Sequence, residues 1–335
     1  MEKMYLVTGA AGYLGGELCR QLVARGEKVR AFVLPGDRLA KYLPPEVTQV
    51  EGDLCNPESL EQFFRVAEGT ETVVLHCASM IALGEERREL VMKVNVQGTM
   101  NILDRCAAHP ECKKLVYVGS TGAIPELPHG QSMKEPHYFD ANGIIGVYGQ
   151  SKAKASQAVL NAVERQGLNA CIVMPSGILG PGDYAVSAMT QIILRQMQQP
   201  TPVSIAGTFN LCDVRDLANG ILLAEEKGKA GESYILANRV ITFSEFTKLI
   251  AEEANCKRPH LFLPKWAANL MADAAAKKAR KDGTKPLITR YEVYNLTRNN
   301  AYDPSKAENE LGYTSRPCRD TIHDEIVWLR EMAKA

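Results

Sequence analysis

The chain has 335 residues, 45% hydrophobic and 23% charged, with 39 basic against 39 acidic side chains. That is an ordinary globular composition, long enough for one large α/β core and a smaller second region. A net charge of zero leaves no footprint for nucleic acid or an anionic membrane, and no apolar run approaches the ~18 residues of a membrane span.

Met1-Glu2-Lys3 leads straight into an apolar run from Met4 to Val7, the first expected strand, so no signal peptide is read and a cytoplasmic protein is expected. Next comes Val7-Thr8-Gly9-Ala10-Ala11-Gly12-Tyr13-Leu14-Gly15-Gly16, then an amphipathic stretch with Leu18, Leu22 and Val23. Strand, glycine-rich turn and helix in that order match a dinucleotide fingerprint. Gly9 would turn the chain, Gly12 would let backbone approach a pyrophosphate, and Gly15 would let helix and strand pack closely. The phosphates would then lie against unpaired N–H groups at a helix N-terminus.

Further strands are expected over Val29–Leu34, Val47–Val50, Thr72–His76, Leu115–Gly119 and Ala170–Met174. Helices are expected over 16–24, 58–67, 86–107 and 148–166. Continuously apolar strands alternating with helices indicate a parallel sheet covered on both faces. Past Pro175 the alternation weakens: short strands at Phe209–Asp213 and Ser233–Leu236, and helices at 244–254, 264–280 and 318–333. The expected fold is α/β, a Rossmann-type doubly wound parallel sheet with a smaller C-terminal substrate region. The dinucleotide-binding domain is placed at 1–178 and the substrate region mainly at 179–335, with later segments free to return to the sheet.

The second chemical signal is Tyr148-Gly149-Gln150-Ser151-Lys152. Tyr148 and Lys152 stand at i and i+4 on one helix face. A phenol is a poor base at neutral pH, and a neighbouring ammonium would lower its pKa. Ser120, just after the Leu115–Gly119 strand, offers a hydroxyl to a substrate oxygen, with Thr121 as a fallback. His76 reads as a packed strand-end histidine. Nine scattered cysteines without a Cys-x-x-Cys pair read as reduced core thiols, and no metal site is expected.

The G-x-x-G-x-x-G loop and Tyr148-x-x-x-Lys152 together resemble the short-chain dehydrogenase/reductase superfamily. Pro175-Ser176-Gly177-Ile178, Gly180-Pro181-Gly182-Asp183, Asp213-Val214-Arg215-Asp216 and Lys306-x-x-x-x-Leu311-Gly312-Tyr313 resemble its extended branch, near the dihydroflavonol-reductase and 3β-hydroxysteroid-dehydrogenase-like group. The resemblance implies a Ser120, Tyr148, Lys152 relay, although Gly119 replaces the first serine of the family's pair. It implies cofactor contacts at Gly9, Ala11, Gly12, Tyr13, Leu14, Gly15, Asp37, Arg38, Asp53, Leu54, Cys77, Ala78, Ser79, Asn95, Val118, Tyr148, Lys152, Pro175, Gly177 and Ile178. Asp53 would accept from the adenine amine, while Asn95 carries the alternative of merely holding backbone or water.

The cofactor is read as NAD(P), leaning to NAD, because Leu34 stands where related reductases carry Arg and Asp37 lies near a ribose-binding position. Arg38 pulls the other way. The reaction read is interconversion of an alcohol and a ketone or aldehyde on a bulky apolar, steroid- or polyphenol-like substrate. Segments 184–199 and 261–275, rich in Met, Leu, Ile, Phe and Trp, are either helix core or lining for such a ligand. The alternatives are a nucleotide-sugar epimerase or dehydratase with tightly bound NAD, and a non-catalytic dinucleotide sensor. Against a dehydratase, Gly122-Ala123 replaces the acidic pair that would follow Thr121. The expected partner is a small-molecule substrate; a homodimer stays open, and neither nucleic acid nor membrane insertion is expected.

Overall fold

The computed structural model describes residues 2–81, 87–282, 284 and 288–334. Strands β1 (Glu2–Thr8), β2 (Lys28–Val33), β3 (Thr48–Glu51), β4 (Thr70–His76), β5 (Cys112–Val118) and β6 (Ala170–Pro175) occupy the first half. They are followed by β7 (Gly177–Leu179), β8 (Val203–Ile205), β9 (Thr208–Asp213), β10 (Ser233–Leu236), β11 (Val240–Thr242) and β12 (Leu261–Leu263). Helices α1 (Tyr13–Ala24), α2 (Leu60–Phe64), α3 (Arg88–Met92), α4 (Gly98–Ala108), α5 (Val147–Gln166) and α6 (Ala188–Gln198) come first. Then come α7 (Val214–Lys227), α8 (Phe243–Ala254), α9 (Lys265–Asp282), α10 (Arg290–Thr297), α11 (Ser305–Leu311) and α12 (Cys318–Met332).

The main sheet has seven strands in the order β10-β6-β5-β4-β1-β2-β3. Every neighbouring pair is parallel. The strand order reverses between β1 and β4, and a crevice for a dinucleotide opens beyond the C-terminal ends at such a switch point. Both faces are buried, as near-continuous apolar strands require. Leu18 and Leu22 of α1 with Leu217 and Ile221 of α7 cover one face. Phe63 of α2, Ile102 of α4 and Val159 of α5 cover the other. Each such side chain contributes roughly 1.5–3 kcal/mol by leaving water.

Expected elements and observed ones diverge in particular places. Leu34 lies past the end of β2 and is exposed. The helix expected over 58–67 stops at Phe64, because Arg65 is already extended. The helix expected over 86–107 starts at a residue outside the described ones; from Arg88 onward it is helical but carries a π turn at Lys93–Gln97. Later, β10 returns to the edge of the main sheet, while β11-β9-β7 and β12-β8 form two small sheets. A separate core joins α6, α8 and α12 through Ile193, Phe246, Ile250, Ile322 and Ile326.

Candidate active site

Three loops meet at the switch point, and glycines set how closely. Gly9 has a φ of 66°, and a Cβ there would lie 2.7 Å from the backbone of Ala78 in the loop after β4. A Cβ on Gly15 would lie 2.2 Å from the Gly9 carbonyl oxygen, so helix α1 starts hard against the turn. Gly12 is the N-cap of α1 with no side-chain cap, and the first turn holds no acidic residue. The N–H groups of Tyr13, Leu14 and Gly15 therefore sit at a positive helix end without an intrahelical acceptor. This cradle fits a pyrophosphate, with Ala11 and Gly12 as its floor. Tyr13 and Leu14 leave only backbone free toward it, since the Tyr13 hydroxyl donates to the Gly180 carbonyl and Leu14 is buried. Beside the loop, Arg20, Tyr42 and Tyr184 line a cleft that no sequence motif marked. Tyr42 and Tyr184 stack with ring centroids 3.7 Å apart.

At the outer end, Asp37 caps a short helical turn by accepting from Leu39 N at 2.9 Å. Arg38 beside it is exposed. Asp53 Oδ1 accepts from Cys55 N at 2.8 Å, so part of that carboxylate shapes its own turn. Leu54 is buried, and its carbonyl accepts from Asn101 Nδ2 at 2.7 Å.

The loop after β4 carries Cys77, Ala78 and Ser79. Cys77 N donates to Thr8 O at 3.2 Å, and burial pushes its thiol up to about 12, which makes it a poor nucleophile. Asn95, expected at the cofactor, directs its polar atoms elsewhere. Its Nδ2 lies 3.0 Å from Met80 O and 2.9 Å from Ser151 Oγ, while Oδ1 accepts from Met80 N at 2.7 Å. It staples this loop to α5 from within the π turn, the backbone-holding alternative of its two readings. His76 is buried between Thr8 Oγ1 (2.6 Å) and Thr99 Oγ1 (3.0 Å), and burial, then Lys152, push it down to about 3. It is a neutral, packed histidine.

Tyr148, Ser120 and Ser79 converge. Burial raises the Tyr148 phenol, while hydrogen bonding to the Ser120 and Ser79 hydroxyls pulls it back down. Gly149 makes the approach possible, because a Cβ there would lie 2.6 Å from the Gly122 carbonyl oxygen. Ser120 Oγ accepts from Gly122 N at 3.1 Å. Thr121 is buried and donates to Pro175 O at 3.2 Å, so its hydroxyl is committed to the end of β6. The Lys152 side chain is almost fully buried; its Nζ donates to Val118 O at 2.7 Å and lies 3.4 Å from Tyr117 Oη. Burial pushes its ammonium down to about 7. Gly119 is where a serine would not fit easily: its Cβ would meet Ile172, Val173 O and Ser156 at 3.2–3.4 Å.

Gly177 and Ile178 form β7 beside β9, and a Cβ on Gly177 would lie 2.9 Å from Asn210 O. Sequence reasoning missed Tyr291. This α10 residue lies so close to Gly146, whose φ is 89°, that a Cβ there would clash with its ring, and that places its phenol near Tyr148. Nothing local in 290–297 signals that reach. Segment 184–199 divides: Ile193 is buried in the α6–α8–α12 cluster, Met189, Ile192, Leu194 and Met197 pack half-buried against it, and Tyr184 lines the cleft beside the loop. In 261–275, Leu261, Trp266, Leu270 and Met271 are exposed at the surface.

The sheet and glycine cradle define a dinucleotide-binding α/β protein. The profile of the NAD dependent epimerase/dehydratase family matches residues 5–237, and the chain belongs to that family. It is 31% identical over 334 residues to a Synechocystis sp. protein provisionally named dihydroflavonol 4-reductase, covering 98% of this chain and 95% of that protein. It is 29% identical over 330 residues to sterol demethylase protein B of Methylococcus capsulatus, covering 97% and 98%. Among solved structures, gox2253 matches with a TM-score of 0.85 and 29% identity, covering 99% of both chains. UDP-glucose 4-epimerase of Thermotoga maritima shares the fold, with a TM-score of 0.79 over 99% of both chains but 18% identity. The protein is an NAD(P)-dependent enzyme of the extended short-chain dehydrogenase/reductase kind. Among the described residues, no helix is long and apolar enough to cross a membrane.

Proposed function

We propose that this enzyme interconverts an alcohol and a ketone or aldehyde on a bulky apolar, steroid- or polyphenol-like substrate. The observation that carries the chemistry is the Tyr148 phenol meeting the Ser120 hydroxyl at the C-terminal edge of the sheet. When bound, the dinucleotide supplies or accepts the hydride. Tyr148 Oη, protonated at neutral pH through its raised pKa, gives its proton to a carbonyl oxygen or recovers it from an alcohol. Ser120, with its lone pair engaged by Gly122 N, turns its O–H toward that oxygen. Lys152 lies beneath, fixed on Val118 O, where its protonated form would stabilise the phenolate. We assign 1–178 to cofactor binding and 179–335 mainly to substrate, with β10 returning to the first.

The apolar substrate class rests on full-length relatives named for sterol and dihydroflavonol chemistry, since the Met, Ile and Leu side chains of 184–199 pack against the α6–α8–α12 core. For the cofactor we favour NAD. Leu34 stands where an arginine would meet a 2′-phosphate, and Asp37, with one oxygen engaged at Leu39 N, keeps the other for a ribose hydroxyl. The test incubates pure protein with NAD(H) and with NADP(H) against hydroxysteroids, dihydroflavonols, aromatic aldehydes and UDP-hexoses. Turnover of an apolar carbonyl with NADH is expected. Turnover of UDP-hexose alone overturns the proposal in favour of an epimerase.

A further inference from the structure

Helix α9 turns its alanine face inward: Ala268 and Ala272 form a small core with Val293 of α10, Ile205 and Ile288. Its outward face is unlike an ordinary solvated helix. Trp266 is 69% exposed, Leu270 62% and Met271 50%. Single exposed apolar residues are common, but three large ones within two turns are not. At about 100° per residue, Trp266, Leu270, Lys277 and Lys281 fall along one line of the helix surface. Lys278 and Arg280 flank that line and are also exposed. The apolar surface extends backward into the strand pair before α9, where exposed Leu261 is in register with exposed Val203.

The charge on this face is one-sided. Asp273 is an acid near the line, and Arg290 holds it through two bonds of 2.7 and 2.6 Å. Asp282 closes the helix. The remaining surface pairs an aromatic and aliphatic tip with a row of cations, the two residue classes that meet the acyl boundary and the headgroups of an anionic bilayer. A second copy of this face would bring no acidic row to meet the lysines, so self-association lacks the complementary charge. The zero net charge of the chain hides this local concentration.

We propose that the outward face of α9 docks peripherally on an anionic lipid surface, Trp266, Leu270 and Met271 entering the interface while Lys277, Lys278 and Lys281 meet the headgroups. Helix α9 packs on α10, and α10 sends Tyr291 to Gly146 beside Tyr148, so two packed elements link the docking helix to the active-site loop. That the lipid delivers an apolar substrate rests on the function proposed above; the docking itself does not.

The test uses the full chain with vesicles of phosphatidylcholine, with and without phosphatidylglycerol. The chain has two tryptophans, so Trp328→Phe leaves Trp266 as the sole indole reporter. Co-sedimentation and a blue shift of Trp266 emission are expected only with the anionic vesicles, weakening as salt rises. Leu270→Ser and Lys277→Glu/Lys281→Glu, both at exposed positions, should each weaken binding at least tenfold while leaving NADH affinity unchanged. Absence of sedimentation overturns the proposal. So does equal binding to neutral vesicles, binding that survives both variants, or a dimer that Leu270→Ser dissolves. Carbonyl turnover is measured separately: lost turnover with intact docking fails the functional reading alone, and the converse fails the docking alone.

Discussion

The switch-point edge of the main sheet and the region beyond Pro175 are held together in different ways. At the edge, backbone meets backbone: Gly9 on Ala78, Gly15 on Gly9 and Gly149 on Gly122 approach at distances that exclude a β-carbon. Beyond Pro175, side chains carry more of the holding: an apolar core joins α6, α8 and α12, ion pairs add to it, and Gly177 on Asn210 is a close backbone approach there too. Arg215 bridges Asp213 and Asp324 at 2.7 Å each, and Arg316 meets Asp216 at 2.7 Å. A backbone approach is fixed by one residue type at one spacing, whereas an ion pair can be built by many residues at many spacings. The first region is therefore held chiefly by glycine placement and the second chiefly by side-chain partnership.

The largest effect should come from the edge. Tyr148→Phe removes the proton donor but leaves the cradle at Gly12–Gly15 intact. It should lower kcat/KM by about 100-fold or more, with NADH affinity nearly unchanged. Steady-state kinetics and fluorescence titration check this. Retention of more than about a tenth of the wild-type value, a loss under ~1.4 kcal/mol, would remove Tyr148 from the relay.

A smaller effect separates positioning from chemistry at the same edge. Gly149→Ala forces a methyl to 2.6 Å from the Gly122 carbonyl oxygen, so α5 must shift away from the Ser120 loop. We expect roughly 1–3 kcal/mol of lost stability by denaturant unfolding. We also expect kcat/KM to fall about tenfold with the phenol still present, because a displaced donor works poorly. An unchanged rate would mean that the Tyr148–Ser120 distance is not held by this contact.

This contrast explains what was legible in the sequence. The parallel sheet and the glycine cradle follow from period and glycine placement, whereas Ser120, Tyr148 and Lys152 stood out as a relay through the family resemblance. The π turn at Lys93–Gln97 could not be read, since its cause is tertiary: Asn95 reaches Met80 and Ser151 at once. The Asp213-Val214-Arg215-Asp216 motif was visible, but its work was not. Asp213 caps α7 through Arg215 N at 2.9 Å and anchors the ion pairs. Tyr291 left no trace, because its partner Gly146 lies far away in sequence. The exposed apolar residues of 261–275 looked like core or pocket, since composition alone does not reveal which side of a helix is covered.

The smallest effect tests whether partnership in the second region responds to pH. Thr190 Oγ1 lies 2.7 Å from Asp183 Oδ2 and 3.0 Å from Glu325 Oε1, all three groups being buried. Thr190 Oγ1 is placed to donate to either carboxyl group, and its single proton serves only one at a time. Asp183 Oδ2 also accepts from Ser187 N at 2.6 Å. Burial is the main cause that pushes Glu325 from 4.5 up to about 8, Asp183 and Asp213 adding to it and Thr190 opposing. A carboxyl raised in the folded state stabilises most below its unfolded value, and that stability is lost as pH climbs from about 4.5 through about 8. Glu325→Gln keeps an N–H donor toward Thr190 but cannot ionise. Between pH 5 and 9 the wild-type Tm should therefore fall further than that of the variant, by roughly 2–4 °C for each kcal/mol at stake. Buried Lys152 and His76 titrate identically in both proteins, so the difference between the two curves isolates Glu325. Parallel curves would place the titrating proton elsewhere and leave the second region indifferent to pH.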